Sequence, residues 1–102
     1  MRADLFKGHV DLLLLSVLGD SPLHGYAVIE ELRARGGFDL PEGTVYPALH
    51  RLETARLVNS RWSAESGRRR RVYSLTRSGR RDLARRRNEW STFVVAVGAV
   101  VA

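Results

Sequence analysis

The sequence predicts a mainly α, α+β chain. Three observations carry this. Three stretches before residue 56 place apolar residues at helical spacing, two later runs alternate about a polar turn, and the last 26 residues return to helical spacing. With 102 residues the chain fits one domain, and 44% hydrophobic content sets it apart from extended disordered polymers. A chain of this size buries roughly two-thirds of its unfolded surface, so its core is thin.

The first helix is expected over about His9 to Leu18. Val10, Leu12, Leu13, Leu14, Leu15, Val17 and Leu18 leave few polar positions, so it needs cover on more than one side. So short a chain has little mass for that, which points to a second subunit. Gly19-Asp20-Ser21-Pro22 ends the helix. The second helix is expected from His24 or Gly25 to Arg35, with Tyr26, Val28, Ile29 and Leu32 at apolar positions and Gly36-Gly37 as its stop. After a connector from Phe38 to Leu40, Pro41-Glu42-Gly43-Thr44 opens a third helix reaching about Ala55. Val45, Leu49 and Leu52 form its buried stripe, while Thr44, Tyr46, Pro47, His50, Arg51 and Thr54 stay off it. Pro47 is placed within the first turn or so, where its missing N–H costs least.

Val58 to Ser63 and Arg71 to Leu75 read as the strands of a hairpin with a polar tip from Ala64 to Arg70. Thr76-Arg77-Ser78-Gly79 leads into a last helix expected from Arg80. Leu83, Trp90, Val94, Val97 and Val101 make a heptad-like seam, widened by Phe93 and Val100. Valine is a mediocre helix former and Gly98 costs about 1 kcal/mol relative to alanine, so packing must hold this uncharged tail helical.

Charge is segregated. Residues 1–60 carry six cationic side chains against eight carboxylates; residues 61–90 carry eleven arginines against Glu65, Asp82 and Glu89; residues 91–102 carry none. The whole excess behind the net charge of +6 therefore lies in the hairpin and the early part of the last helix. Lys7 is the only lysine. Arginine makes paired hydrogen bonds to phosphates and base edges, so this pattern favours nucleic acid as the partner.

Other classes are disfavoured. The absence of cysteine removes disulfide scaffolds, thiolate metal sites and a cysteine nucleophile, and fits a reducing compartment. Residues 1–20 lack a leader pattern, and the longest apolar stretch, Phe93 to Ala102, is far below the roughly 20 residues that span a bilayer. A cytoplasmic protein without a membrane partner is expected. His9, His24 and His50 lie in separate elements without metal-ligand spacing, and no serine, histidine and acid set has the spacing of a nucleophilic site. No enzyme activity, metal or cofactor is expected.

Three helices, a two-stranded basic hairpin and one more helix is the order of a winged helix-turn-helix with an appended dimerisation helix. Residues 1–76 would form the DNA-binding unit and residues 77–102 the dimerisation helix. The third helix would enter a major groove, the second would brace it, and the arginine-tipped wing would reach a phosphate strand or the minor groove.

Three runs also carry a family resemblance: Pro22-Leu23-His24-Gly25-Tyr26, the stretch from Gly43 through Thr44-Val45-Tyr46-Pro47 to Glu53, and the stretch from Gly67 through Arg68-Arg69-Arg70-Arg71 to Thr76. They resemble the PadR family of bacterial transcriptional regulators over essentially the whole chain, and the single late helix bearing Trp90 resembles its small subgroup. The resemblance implies a homodimer built from the first and last helices and bound to an inverted repeat in double-stranded DNA at the nucleoid. It also implies repression of a transporter or detoxification operon, relieved by a small molecule. Two positions depart from the family pattern. Arg56 stands where glycine is usual, so either the turn differs or strain of about 1 kcal/mol is carried there. Arg69 stands where many relatives have proline.

Candidate residues follow. Tyr46 with Thr44 is a candidate phosphate clamp at a helix start. His50 and Arg51 are candidate readers of base edges, arginine most naturally of guanine, with Pro47 on the same exposed face. Tyr26 either touches a phosphate or is a core ring. Arg68, Arg69 and Arg70 are candidate phosphate contacts. Trp90 is either dimer core or one half of a sandwich around a small aromatic or cationic hydrophobic effector, with Phe93 and Leu13 as lining and Val94 and Val97 in the interface. The competing reading is a winged-helix protein for protein interaction or non-specific nucleic acid packaging, without ligand response.

Overall fold

In a computed structural model describing residues 8–102, the chain runs α1 (Val10–Asp20), β1 (Leu23–His24), α2 (Gly25–Gly36), α3 (Glu42–Thr54), β2 (Val58–Ser63), a 3-10 turn (Glu65–Gly67), β3 (Arg70–Leu75) and α4 (Arg77–Val101). The expectation that residues 1–20 carry no leader pattern falls in part on residues 1–7, which lie outside the described residues. No helix among the described residues is long and apolar enough to cross a membrane.

Local chemistry sets the ends of these elements. His24 caps α2 by accepting the Ala27 N–H on Nδ1 at 3.2 Å. Gly37 closes α2 in the left-handed region at φ +70°, its N–H bonded to the Arg33 carbonyl. At α4 the Thr76 hydroxyl oxygen accepts the Gly79 N–H at 2.9 Å, so the helix starts at Arg77 rather than Arg80. Pro47 lies deeper than expected. With α3 beginning at Glu42 it sits in the second turn, where its missing N–H leaves the Gly43 carbonyl without the usual helical donor.

The hairpin gains a partner that periodicity did not reveal. Strand order is β1-β3-β2, all antiparallel, with Leu23 opposite Tyr73 and His24 opposite Val72 on one side of β3. On the other side Val58 faces Leu75 and Ser63 faces Arg70. The two-residue β1 therefore ties the start of α2 to the root of the wing.

One core joins all layers. Leu14, Leu15 and Leu18 of α1 meet Val28, Ile29 and Leu32 of α2, Val45, Leu49 and Leu52 of α3, and Val58, Tyr73 and Leu75 of the sheet. Leu83 of α4 closes it, so this residue belongs to the core of the chain and not to an outer seam. Beyond Arg86 no residue of α4 is buried, and the helix extends past the body of the molecule.

Arg56 does adopt a left-handed conformation, at φ +62°. A non-glycine residue there carries strain of about 1–2 kcal/mol. The surroundings hold it in place. The Thr76 hydroxyl donates to the Arg56 carbonyl at 2.7 Å, and the Thr76 N–H donates to the Leu57 carbonyl at 3.1 Å. This turn is thereby pinned to the start of α4.

Candidate nucleic-acid interface

Burial of Val45, Ala48, Leu49 and Leu52 leaves one face of α3 to solvent. Helical geometry puts Gly43, Pro47, His50 and Thr54 along its crest, all exposed. Tyr46 and Glu53 flank the crest on the side of the sheet, and Thr44 and Arg51 flank it on the side of α1.

On the sheet side lies a groove of about 470 Å³ lined by His24, Gly25, Tyr26, Tyr46, Trp62 and the arginines from Arg68 to Arg71. Five of the nine expected DNA-contact residues thus share one groove: Tyr26, Tyr46, Arg68, Arg69 and Arg70. Tyr26 is 50% exposed and stands outside the core, despite its helical spacing with Ile29 and Leu32. The Tyr46 ring lies directly on the start of α2. A Cβ at residue 25 would fall 2.4 Å from Tyr46 Cε1, so glycine there is what lets the ring settle.

The wing is built as a layered cation–π stack. Trp62 of β2 is half exposed, with the Arg69 guanidinium 4.5 Å and the Arg71 guanidinium 5.4 Å from its ring centre. Arg71 is fixed further. Its Nε donates to Ser60 Oγ at 2.7 Å, and Ser60 Oγ donates to Glu53 Oε2 at 2.5 Å. Arg71 and Glu53 also pair at 3.7 Å. Through this chain of contacts α3 and both wing strands hold one relative position. His24 closes the far end of the groove, with Nε2 2.8 Å from Arg70 Nη1. Burial and the nearby Arg70 charge lower its pKa, partly opposed by Glu30, so the ring favours its neutral form.

The other candidates lie outside this groove. Thr44 is half-buried, and Pro47 is exposed on the crest. His50 lines a neighbouring hollow with Glu53, Thr54, Arg71 and Tyr73. Arg51 extends towards α1, where its Nη2 donates to Asp11 Oδ1 at 2.5 Å.

At the opposite end, a second groove of about 390 Å³ runs between α1 and α4, lined by Gly8, His9, Leu12, Arg86, Glu89, Trp90 and Phe93. His9 meets Trp90 edge-on with ring centres 5.2 Å apart, and Phe93 stands 6.0 Å from Trp90. Phe93 is therefore beside Trp90 as expected. Leu13 is not; it packs against the core, and Leu12, one residue earlier, takes its place in the groove. Val94 and Val97 are exposed further along α4. Upstream, burial works against the charge of Asp82, but hydrogen bonds from Arg85 and Arg86 outweigh it and hold the carboxyl below its ordinary pKa.

Sequence reasoning missed His24, Glu53, Trp62 and Arg71 as parts of the interface, and Asp11 as a partner of Arg51. For Trp62 a signal existed, since an aromatic residue on a strand opposite arginines is a stacking platform. The others depend on contacts between residues distant in sequence.

Comparison with known proteins agrees with this geometry. Residues 14–85 match the family described as Transcriptional regulator PadR-like family. The chain is similar to the transcriptional regulator Rv3488 of Mycobacterium tuberculosis, with 41% identity over 74 residues, covering 72% of this chain and 68% of that one. Its fold is similar to a PadR family transcription regulator from Clostridium difficile R20291, with a TM-score of 0.85, 33% identity, and coverage of 92% of this chain and 99% of that one. It is also similar to a transcriptional regulator from Clostridium thermocellum, with a TM-score of 0.89, 26% identity, and coverage of 100% and 99%.

Proposed function

The chain belongs to the PadR-like family of DNA-binding transcriptional regulators, and from that premise we propose that it acts as a homodimeric repressor. In this reading it holds an inverted-repeat operator and releases it when a small aromatic or cationic hydrophobic ligand binds near Trp90. In it, residues 1–76 make the DNA-reading unit, and residues 77–102 form the dimer with α1. His50 and Arg51 read base edges, with Pro47 on the same crest. Tyr26, Thr44, Tyr46, Arg68, Arg69 and Arg70 hold phosphates, and Leu13, Val94 and Val97 belong to the pairing surface with Trp90 and Phe93. The protein works at the nucleoid in the bacterial cytoplasm, and the regulated genes encode transport or detoxification.

The observation that carries the DNA reading is the single groove in which two tyrosines of α2 and α3 meet the four wing arginines, beside the exposed crest of α3. Neighbouring donors of this kind suit a sugar–phosphate strand, and the crest suits the adjacent major groove. The dimer reading is supported by α4, where Trp90, Phe93, Val94 and Val97 are all at least 39% exposed, more apolar surface in one row than a small monomer keeps in water. Two such chains joined along α4 would set their α3 helices about one helical turn of DNA apart, and a ligand wedged at Trp90 would alter that spacing.

The test starts from a duplex enriched by the protein out of a random pool, compared with unselected duplex. Strong preference for the selected duplex is expected, and a ratio near unity would favour the packaging or interaction reading. Val97→Asp should sediment as a monomer and lose the selected duplex; a monomer with full affinity would overturn the dimer. Flat cationic dyes should quench tryptophan fluorescence in a Trp62→Phe background. Equal dye affinity after Trp90→Ala would sink the ligand site.

A further inference from the structure

Arg51 is the one arginine in α3, and its guanidinium, though 60% exposed, is held by a carboxylate forty residues earlier. Asp11 is only 24% exposed and sits in the first turn of α1. The unpaired N–H groups of that turn and the Arg51 guanidinium lie on either side of the carboxylate and hold it in place. An arginine on a DNA-facing helix does not need such a partner to fold. Arg33 and Arg35, which lie on α2, pair with Asp39, Asp20 and Glu31, none of which lines the groove beside α3.

We propose that Asp11 is a positioning residue for DNA binding, an intramolecular anion that competes with DNA for Arg51. In the free protein the carboxylate occupies the guanidinium. A lone phosphate offers no better partner than a carboxylate already in contact, so on random DNA Arg51 stays with Asp11. A guanine edge in register offers two acceptors, N7 and O6, in a geometry that matches the arginine fork, and draws Arg51 across. The cost of breaking the pair is subtracted from every complex in which Arg51 reads a base. Asp11 thereby keeps the specific complex weaker, and more readily released, than its contacts alone would make it. This inference rests on the reading of α3 as the element that faces DNA.

The pair has a further property. Asp11 shares its helical turn with His9 and Leu12, which line the groove beside Trp90 and Phe93 on another side of α1. The fully buried anchors of α1 begin at Leu14, while Val10, Leu12 and Leu13 before it pack against the core only in part. Whatever shifts the turn shifts the competitor of Arg51.

The test is a double-mutant cycle on the intact protein, read as affinity for the selected duplex and for unselected duplex at several salt concentrations. Asp11→Asn should tighten binding of the selected duplex about three- to fivefold at low salt, the scale of one partly exposed ion pair. Binding of unselected duplex should tighten less, and its salt dependence should steepen by about one phosphate contact as the freed Arg51 finds the backbone. In an Arg51→Ala background the same change should have little effect. Asp11→Ser serves as a second variant, and Asp39→Asn reports the general effect of removing a surface carboxylate. The proposal is overturned if Asp11→Asn leaves selected-duplex affinity unchanged although Arg51→Ala weakens it, if the gain persists in full without Arg51, or if Asp39→Asn gives an equal gain. If Arg51→Ala is silent while loss of Arg68, Arg69 and Arg70 weakens binding, Arg51 is no reader and the competition fails, with the groove reading intact. If none of these changes alters binding, the DNA-facing assignment of α3 and the wing fails as well.

Discussion

Gly25→Ala separates folding from recognition at a single atom. The added Cβ would stand 2.4 Å from Tyr46 Cε1 and 2.9 Å from its Oη, whereas ordinary contact begins near 3.4 Å. The ring must therefore retreat by about 1 Å or more, and it can, because Tyr46 is 40% exposed with its outer edge in solvent. Gly25 opens α2 in a helical conformation that alanine accepts, and the stiffer unfolded chain returns about 0.4–1 kcal/mol. Folding stability should therefore change by less than about 1 kcal/mol in either direction. DNA affinity should not be spared. With Tyr46 holding a phosphate as proposed, its displaced hydroxyl would lose one hydrogen bond, about 1–2 kcal/mol, or a five- to thirtyfold rise in Kd at roughly physiological salt. The assay pairs urea denaturation with fluorescence anisotropy on the selected duplex, for Gly25→Ala, Tyr46→Ala and the double variant. The double variant should bind like Tyr46→Ala alone. Undiminished affinity in Gly25→Ala would refute Tyr46 as a contact, and a further loss in the double variant would show that residue 25 acts by another route.

Two more outcomes concern stability. Gly79→Ala should destabilise by about 2–4 kcal/mol, visible as a lower urea midpoint, because its Cβ would lie 1.9 Å from the Leu57 carbonyl oxygen and backbone cannot step aside as a side chain can; a midpoint within error of the parent would show that α4 can pull away from Leu57 at no cost. His24 has its pKa lowered in the folded chain, so the unfolded chain takes up protons first as pH falls. Its contribution is present above the ordinary histidine value and declines as pH falls through the folded one. Urea midpoints should therefore drop between about pH 7 and pH 5 more steeply in the parent than in His24→Asn, which keeps a capping acceptor without the titration. Parallel slopes would assign the pH dependence elsewhere.

What could be read from sequence was whatever depends on near neighbours. The stripe of Val45, Leu49 and Leu52 marks α3 and its open face together, because one-sided burial is a local pattern. The wing arginines declare themselves by number. Arg56 is legible too, since a missing glycine at a helix end leaves few conformations to choose from. Sequence fails where a residue's role is set by something far away. Leu23 and His24 become a strand only because Tyr73 and Val72 lie alongside, and no two-residue run announces that. Tyr26 has core spacing but an exposed ring, because Val28, Ile29 and Leu32 already fill the side of α2 that faces inward. Leu12 and Leu13 differ by 100° around α1, and a helix apolar on nearly every side gives no means of choosing between them. The last case is Arg51, whose exposed position was legible while its carboxylate, forty residues away, was not.

The bare outer half of α4 has a consequence for gene control. Valine-rich helix without neighbours is marginal in water, and Gly98 pulls it further towards coil. For a chain that pairs through this arm, ordering the arm and assembling the dimer are one event, governed by mass action. In the dilute limit the active species then grows with the square of the amount synthesised, so a modest fall in expression empties an operator more sharply than it depletes the protein. For such a dimer abundance itself would be an input, and a cell could adjust the threshold through synthesis and degradation, without any ligand.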